Sequence, residues 1–303
     1  MHIRGLNLFL LLAVPGMAAQ AQDIPVFRSN VDLIFVDAQV LSQGKPVRGL
    51  KQQDFLLWDN GKPQTIASFG ADDQPLDVML LLDISGSMVP IEQKVKNIAA
   101  EAMANLLPGD RVGIAVFSHR ARLIVAPSSD RQKVDTAVRK ISWVGTGTEL
   151  NATVLSTAKY LGNHGRLEAR RAVVILTDNK GYRSMPDEWV RDGLWENNVV
   201  MNALLFPKTP GESGDADVRR FVKSTGGESI VVRSADIPLA EMFRRLRERY
   251  GIMYHAPGGE PGSMRTIHVE LAPHAKSKLK DVKIRARAGY RVVAAGSAVV
   301  LSP

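Results

Sequence analysis

Five oxygen-bearing side chains stand out for the chemistry their spacing permits. Asp83, Ser85 and Ser87 fall in the run Asp83-Ile84-Ser85-Gly86-Ser87-Met88, after a continuous apolar stretch and before a helical one. Two hydroxyls two residues apart, behind an acidic strand end, can face a single point if Gly86 lets the backbone turn tightly. One such turn rarely closes a coordination sphere, so other strand ends must contribute. The candidates are Thr148, in Gly145-Thr146-Gly147-Thr148-Glu149, and Asp178, which ends the strand-like run Ala172 to Asp178. Oxygen-only donors of mixed charge suit Mg²⁺, with Mn²⁺ or Ca²⁺ as alternatives, rather than zinc. Two bland readings stand beside this one. A Ser before a helix caps free N–H groups in any protein, and Thr146 rivals Thr148.

Other chemistries find little support. Gly145-x-Gly147 follows a helix pattern and lacks the third glycine of a dinucleotide fingerprint, and no phosphate loop of the Gly-x-x-x-x-Gly-Lys type occurs. The six histidines include no His-Glu-x-x-His pair, and His119, His255 and His268 read as surface or strand residues. Ser213, in Gly211-Glu212-Ser213-Gly214-Asp215, lacks the strand-to-helix elbow of a hydrolase. No nucleophile or general base is placed convincingly. The expectation is binding, not catalysis.

The elements that must position the five oxygens alternate strand and helix. Asp77 to Asp83, Arg111 to Phe117, Ala172 to Thr177 and Val199 to Phe206 are apolar runs expected of strands buried on both faces, with shorter strands at Arg122 to Ala126 and Ser229 to Val232. Helical spacing covers Pro90 to Leu107, Arg131 to Ile141, Ala152 to Leu161, Asp187 to Glu196, Ala216 to Ser224 and Pro238 to Tyr250. This rhythm predicts an α/β fold: a doubly wound, mostly parallel sheet covered on both sides, with ligands at the carboxyl ends of strands where strand order reverses. The ends differ. Val31 to Val40, a hairpin turning at Asp59-Asn60-Gly61 between Phe55 to Trp58 and Thr65 to Phe69, and strands at Arg265 to Leu271 and Asp281 to Tyr290 with no helix between them predict a small flanking β-sandwich built from both termini. Lys283, Arg285 and Arg287 share one face of the last strand.

Asp-x-Ser-x-Ser after a first apolar strand, then a Gly-Thr loop, then a strand ending Thr-Asp, resembles the von Willebrand factor A domain and its metal-ion-dependent adhesion site, over roughly Asp77 to Tyr250. The resemblance implies that Ser85, Ser87 and, in a high-affinity state, Thr148 ligate the cation directly. Asp83 and Asp178 would act through water, and a partner's Asp or Glu would complete the sphere. It favours Thr148 over Thr146, because the family loop reads Gly-Thr-x-Leu and the chain has Gly147-Thr148-Glu149-Leu150. It also implies that ligation of Thr148 couples to a shift of the helix Pro238 to Tyr250, relayed to the β segment that follows. The departure is Asn179-Lys180, where many members have Gly: Asn can still turn, but Lys180 near the cation would oppose it. The run Val31 to Phe69 and the ending Arg285-Ala286-Arg287-Ala288-Gly289-Tyr290 resemble the A-domain-related exported proteins typical of Acidobacteria.

The bulk composition fits this picture. With 303 residues, 45% hydrophobic and 23% charged, the chain is an ordinary globular protein. Arg4, the apolar Leu8 to Val14 and the small-x-small Ala19-Gln20-Ala21 predict a secretory signal peptide over 1–21, hence a periplasmic or secreted protein. Cysteine is absent, so no disulfide framework forms. The expected division is an N-terminal β segment over 22–76, the A domain over 77–250, a C-terminal β segment over 251–293 and a tail over 294–303, with no membrane span. The net charge of +8 suggests attraction to an anionic envelope surface or an acidic protein, not to nucleic acid. A scaffold docking partners without metal is the first alternative; a metal-dependent hydrolase is a remote one.

Overall fold

The computed structural model describes residues 33–71, 74–206, 216–232 and 238–292. The predicted signal peptide over 1–21, the tail over 294–303 and the Gly211 to Asp215 loop lie outside the described residues.

The chain begins with five strands: β1 Leu33–Ser42, β2 Lys45–Pro46, β3 Phe55–Asp59, β4 Lys62–Gln64 and β5 Ile66–Ala71. Asn60 and Gly61 turn between β3 and β4 with positive φ of 47° and 74°, as a two-residue hairpin of the favoured hand requires. Only three residues return along β3, however. The chain then leaves as β5 for a different sheet, so the expected pairing of Phe55 to Trp58 with Thr65 to Phe69 is replaced by β3 with β4.

The α/β part follows with β6 Leu76–Asp83, α1 Glu92–Ala104, β7 Arg111–Phe117, β8 Ala121–Ser128, α2 Arg131–Arg139, α3 Asn151–His164, β9 Arg170–Thr177, α4 Asp187–Glu196, β10 Val199–Leu205, α5 Arg219–Thr225, β11 Ser229–Val231 and α6 Pro238–Arg247. Gly86–Ile91 is a short 3₁₀ turn, not the start of the α-helix expected from Pro90. Pro90 has no backbone N–H to donate, so the turn around it lacks one bond of the α-helical pattern. The six strands lie in the order β11-β10-β9-β6-β7-β8, parallel except for β7 with β8. This is the predicted doubly wound sheet. β6 shows why it folds: all eight residues are buried, and alternate side chains serve opposite faces. Val78, Leu80 and Leu82 join Val95 and Ile98 of α1, Val138 of α2 and Phe243 of α6. Met79 and Leu81 join Val154 of α3, Leu194 of α4 and Phe221 of α5. Each such side chain contributes about 1.5–3 kcal/mol by leaving water.

The end of the chain adds β12 Tyr250–His255, β13 Met264–Leu271, α7 Pro273–Lys276, β14 Val282–Ala286 and β15 Gly289–Arg291. Two antiparallel sheets result, β14-β1-β12-β5 with β2 beside β1, and β15-β13-β3-β4, packed around Val36, Phe55, Leu57, Tyr250, Tyr254 and Val269. The β-sandwich from both termini is thus present. Two details depart from expectation. The last helix of the α/β part stops at Arg247, because Tyr250, Ile252 and Tyr254 are wholly buried along one face of β12. A one-turn helix, α7, opened by Pro273 at its first position, separates β13 from β14.

Candidate metal centre

Strand order reverses between β6 and β9: the chain runs from β6 outward through β7 and β8, then returns to the other side of β6 as β9. The carboxyl ends of these two neighbours carry Asp83 and Thr177-Asp178, so the switch point of the sheet lies at the predicted acidic residues. The Gly145 to Leu150 loop joins them. Gly145 accepts a place beside Ser85 as an isolated parallel bridge, donating its N–H to the Ile84 carbonyl at 3.1 Å. Gly145 is needed there, since a Cβ would sit 2.3 Å from the Ser118 Cβ. Tyr182 N–H donates to the Thr148 carbonyl at 3.0 Å, and Leu150 N–H to the Tyr182 carbonyl at 3.2 Å. Three loops that meet nowhere in sequence are thereby laced into one surface.

The side chains divide into two roles. Asp83, wholly buried, is held in place: the Ser85 N–H donates to its Oδ1 at 3.0 Å and the Thr177 hydroxyl to its Oδ2 at 2.6 Å. Burial pushes its carboxyl up to about 6, the nearby Asp178 carboxylate adds to the rise, and hydrogen bonds from Ser85 and Thr177 oppose it. Trp143 Nε1 donates to the Asp83 carbonyl at 2.9 Å and fixes the backbone. The other donors are held by fewer partners. Ser85 precedes the 3₁₀ turn without capping it, and its Oγ lies 3.1 Å from Ser87 Oγ. Thr148 is buried, whereas Thr146 is exposed, and Gly147 at φ 70° makes the reversal between them. No side-chain hydrogen bond engages the Thr148 hydroxyl among the described residues. Asp178 is buried; its Oδ1 accepts the Lys180 N–H at 3.2 Å, and its Oδ2 has no hydrogen-bond partner among the described residues.

These residues fit a hard divalent cation. Adjacent oxygen ligands at 2.0–2.1 Å on an octahedral ion lie about 3 Å apart, close to the 3.1 Å between Ser85 and Ser87. No group of three or more His, Cys, Asp or Glu side chains able to hold a metal exists among the described residues. The donor set is therefore hydroxyl-rich, with two carboxylates behind it. A cation here would favour the charged form of Asp83 and satisfy the orphaned Asp178 oxygen.

Sequence reasoning missed the supporting roles of Thr177 and Tyr182, and of Asn179 it read the turn but not its side-chain anchors. Thr177 bridges the Asp83 carboxylate and the Asn179 N–H at 3.0 Å. Asn179 takes the left-handed conformation, φ 58°, and its side chain ties Asp217 and the Val218 N–H. Tyr182 holds Thr148 through the backbone and shares a 2.8 Å hydrogen bond with His119 Nδ1. For Thr177, a hydroxyl preceding an acidic strand end was the readable signal.

Residues 78–180 match the von Willebrand factor type A domain model. Among solved structures, the chain is similar to an aerotolerance-related membrane protein from Bacteroides fragilis (18% identity, 56% of this chain and 98% of that one, TM-score 0.47). A von Willebrand factor type A protein from Catenulispora acidiphila is similar over 88% of this chain and 75% of its own, at 13% identity and TM-score 0.46. Proximal thread matrix protein 1 from the mussel byssus, solved with a zinc-occupied metal-ion-dependent adhesion site, is 15% identical over 58% of this chain and 48% of its own, TM-score 0.45. No curated protein matches. The doubly wound sheet and the oxygen cluster at its switch point coincide with the stretch, residues 78–180, that is similar to the von Willebrand factor type A domain.

Proposed function

We propose that this domain is a cation-dependent protein-binding module of an exported protein. Domains of this family mediate protein interactions. In this reading Ser85, Ser87 and Thr148 hold the cation, Mg²⁺ first and Mn²⁺ or Ca²⁺ next, while Asp83 and Asp178 act through water. Bound by neutral hydroxyls, the ion keeps most of its charge and offers it to an Asp or Glu of a partner. The observation that carries the reading is the pair of hydroxyls 3.1 Å apart, with Ser85 not capping the turn it precedes, together with a buried Asp178 oxygen that has no hydrogen-bond partner among the described residues. The laced loops also expose apolar side chains, Val89, Val144 and Tyr182, suited to contact with a protein. No nucleophile or base is required. Export rests on the leader pattern over 1–21; no helix among the described residues is long and apolar enough to cross a membrane.

Isothermal titration of Mg²⁺ into the chain is expected to show one saturable site, lost in the Ser85→Ala, Ser87→Ala double variant with its circular dichroism unchanged. A pull-down from envelope extract should retain a partner with Mg²⁺ and release it with EDTA. Retention that ignores EDTA, or full affinity in Thr148→Ala, sinks the reading.

A further inference from the structure

A second surface shares no residue with the metal centre. Between β14 and β15 the chain passes from one sheet of the sandwich to the other, and the parting leaves a groove of about 970 Å³ bounded by α5, β13 and β14. Its cations come from two elements: Arg219, Arg220 and Lys223 from α5, and Lys283, Arg285 and Arg287 at or beside β14. Against these six, the lining holds one carboxylate, Glu228, already engaged by Arg245 and Arg285. Lys223 and Lys283 are exposed and form no ion pair among the described residues. Ile267, Val269 and Ile284 supply apolar lining. Along this groove β14 is an edge strand, bonded to β1 on one side and to no strand on the other among the described residues; Gly226 packs against the Ala286 backbone at its end, so the unpaired stretch is Val282 to Arg285.

Lysines on an edge strand commonly guard it against unwanted pairing. A guard needs charge only on the strand itself. Here α5, from the α/β part, brings the unpaired Lys223 to the same groove, with Arg219 and Arg220 beside it, paired to Asp217 and Asp187, so that Lys223 and Lys283 set the positive potential where an incoming chain would lie. An open strand edge offers a row of backbone donors and acceptors, and only a polypeptide in extended form uses them. We propose that the groove binds an extended acidic peptide segment of a partner protein, added as a strand to the free edge of β14, with its carboxylates facing α5 and β14. The binding is independent of the metal.

Fluorescence anisotropy tests this with the full chain in EDTA and a fluorescein-labelled synthetic peptide alternating Glu and Val. Saturable binding is expected, weakened on the order of tenfold in the Lys223→Glu, Lys283→Glu double variant. The same peptide N-methylated along its pairing edge should lose affinity to a similar degree, a comparison that needs no variant. Absence of saturable binding, equal affinity for the N-methylated peptide, or a folded double variant that binds as tightly as the parent overturns the proposal. So does binding of phosphatidylglycerol vesicles in place of the peptide, which would make the groove a membrane contact. Because EDTA is present throughout, failure here leaves the metal reading untouched, and the reverse holds.

Discussion

At the scale of single residues, Asn179 shows how a non-glycine residue is tolerated in a left-handed turn. A non-glycine residue at φ 58° costs roughly 1–2 kcal/mol, least for Asn. The side chain offsets that by accepting the Val218 N–H and donating to Asp217. Asn179→Ala is therefore expected to lower stability by about 2–4 kcal/mol, combining backbone strain with an unsatisfied buried N–H. Asn179→Gly should cost about 1 kcal/mol less, since the strain disappears and the lost hydrogen bonds remain. Urea unfolding of the two variants checks the order. An Ala variant as stable as the Gly variant would show that the turn is not held in the left-handed region.

At the scale of elements, the metal centre depends on loops being laced together more than on any ligand. Gly145 is not itself a candidate ligand, yet a Cβ there would collide with Ser118 and press within 2.9 Å of the Ile84 carbonyl. Gly145→Ala is expected to weaken Mg²⁺ binding by about 10–100-fold, as loss of outer-shell support does, with secondary structure intact; calorimetric titration measures it. A second junction ties the helix α6 to the sandwich. Arg170 of β9 and Arg249, just past α6, both grip Asp37 of β1, and Arg170 also donates to the Leu246 and Arg249 carbonyls. All three side chains are buried. Removing one partner strands charge in a dry interior, so Asp37→Ala should destabilise by about 3–5 kcal/mol, read as a drop in urea midpoint. The same junction bears on the coupling that the family resemblance implies: α6 ends at Arg247 and β12 starts at Tyr250, so a shift of the helix would pull directly on the sheet containing β1.

At the scale of the whole molecule, acid stability follows from the opposite end of the central sheet. Burial alone would raise the Asp77 carboxyl, but hydrogen bonds from Arg111 and Arg166 outweigh it and hold it below its usual 3.8. A depressed carboxyl contributes stability above the unfolded value and loses it as pH falls through the folded one. The raised Asp83 carboxyl adds stability as pH falls from about 6 toward 3.8, so the loss from Asp77 should show as a fall in melting temperature below pH 4, and Asp77→Asn, less stable at neutral pH, should show a flatter limb there in thermal scans. Much of the central fold was legible in sequence because it rests on local pattern: continuous apolar runs such as β6, helical spacing over α4, the Asn60-Gly61 turn and the Asp83 to Ser87 loop all carry their signal within a few residues. The end of α6 was misread because Leu246 and Tyr250 stand four apart and continue a helical period, although Tyr250, Ile252 and Tyr254 alternate as a strand. By itself, then, the sequence determined the periodicities, the turn chemistry and which oxygens were available. Only the tertiary structure decided that β12 lies between β1 and β5, that Asp37 meets arginines more than a hundred residues away, and that Ser85, Thr148 and Asp178 belong to loops laced together. The physical reason is that hydrogen-bond register and ion pairing across the sheets depend on which surfaces are brought together, and no local spacing encodes that.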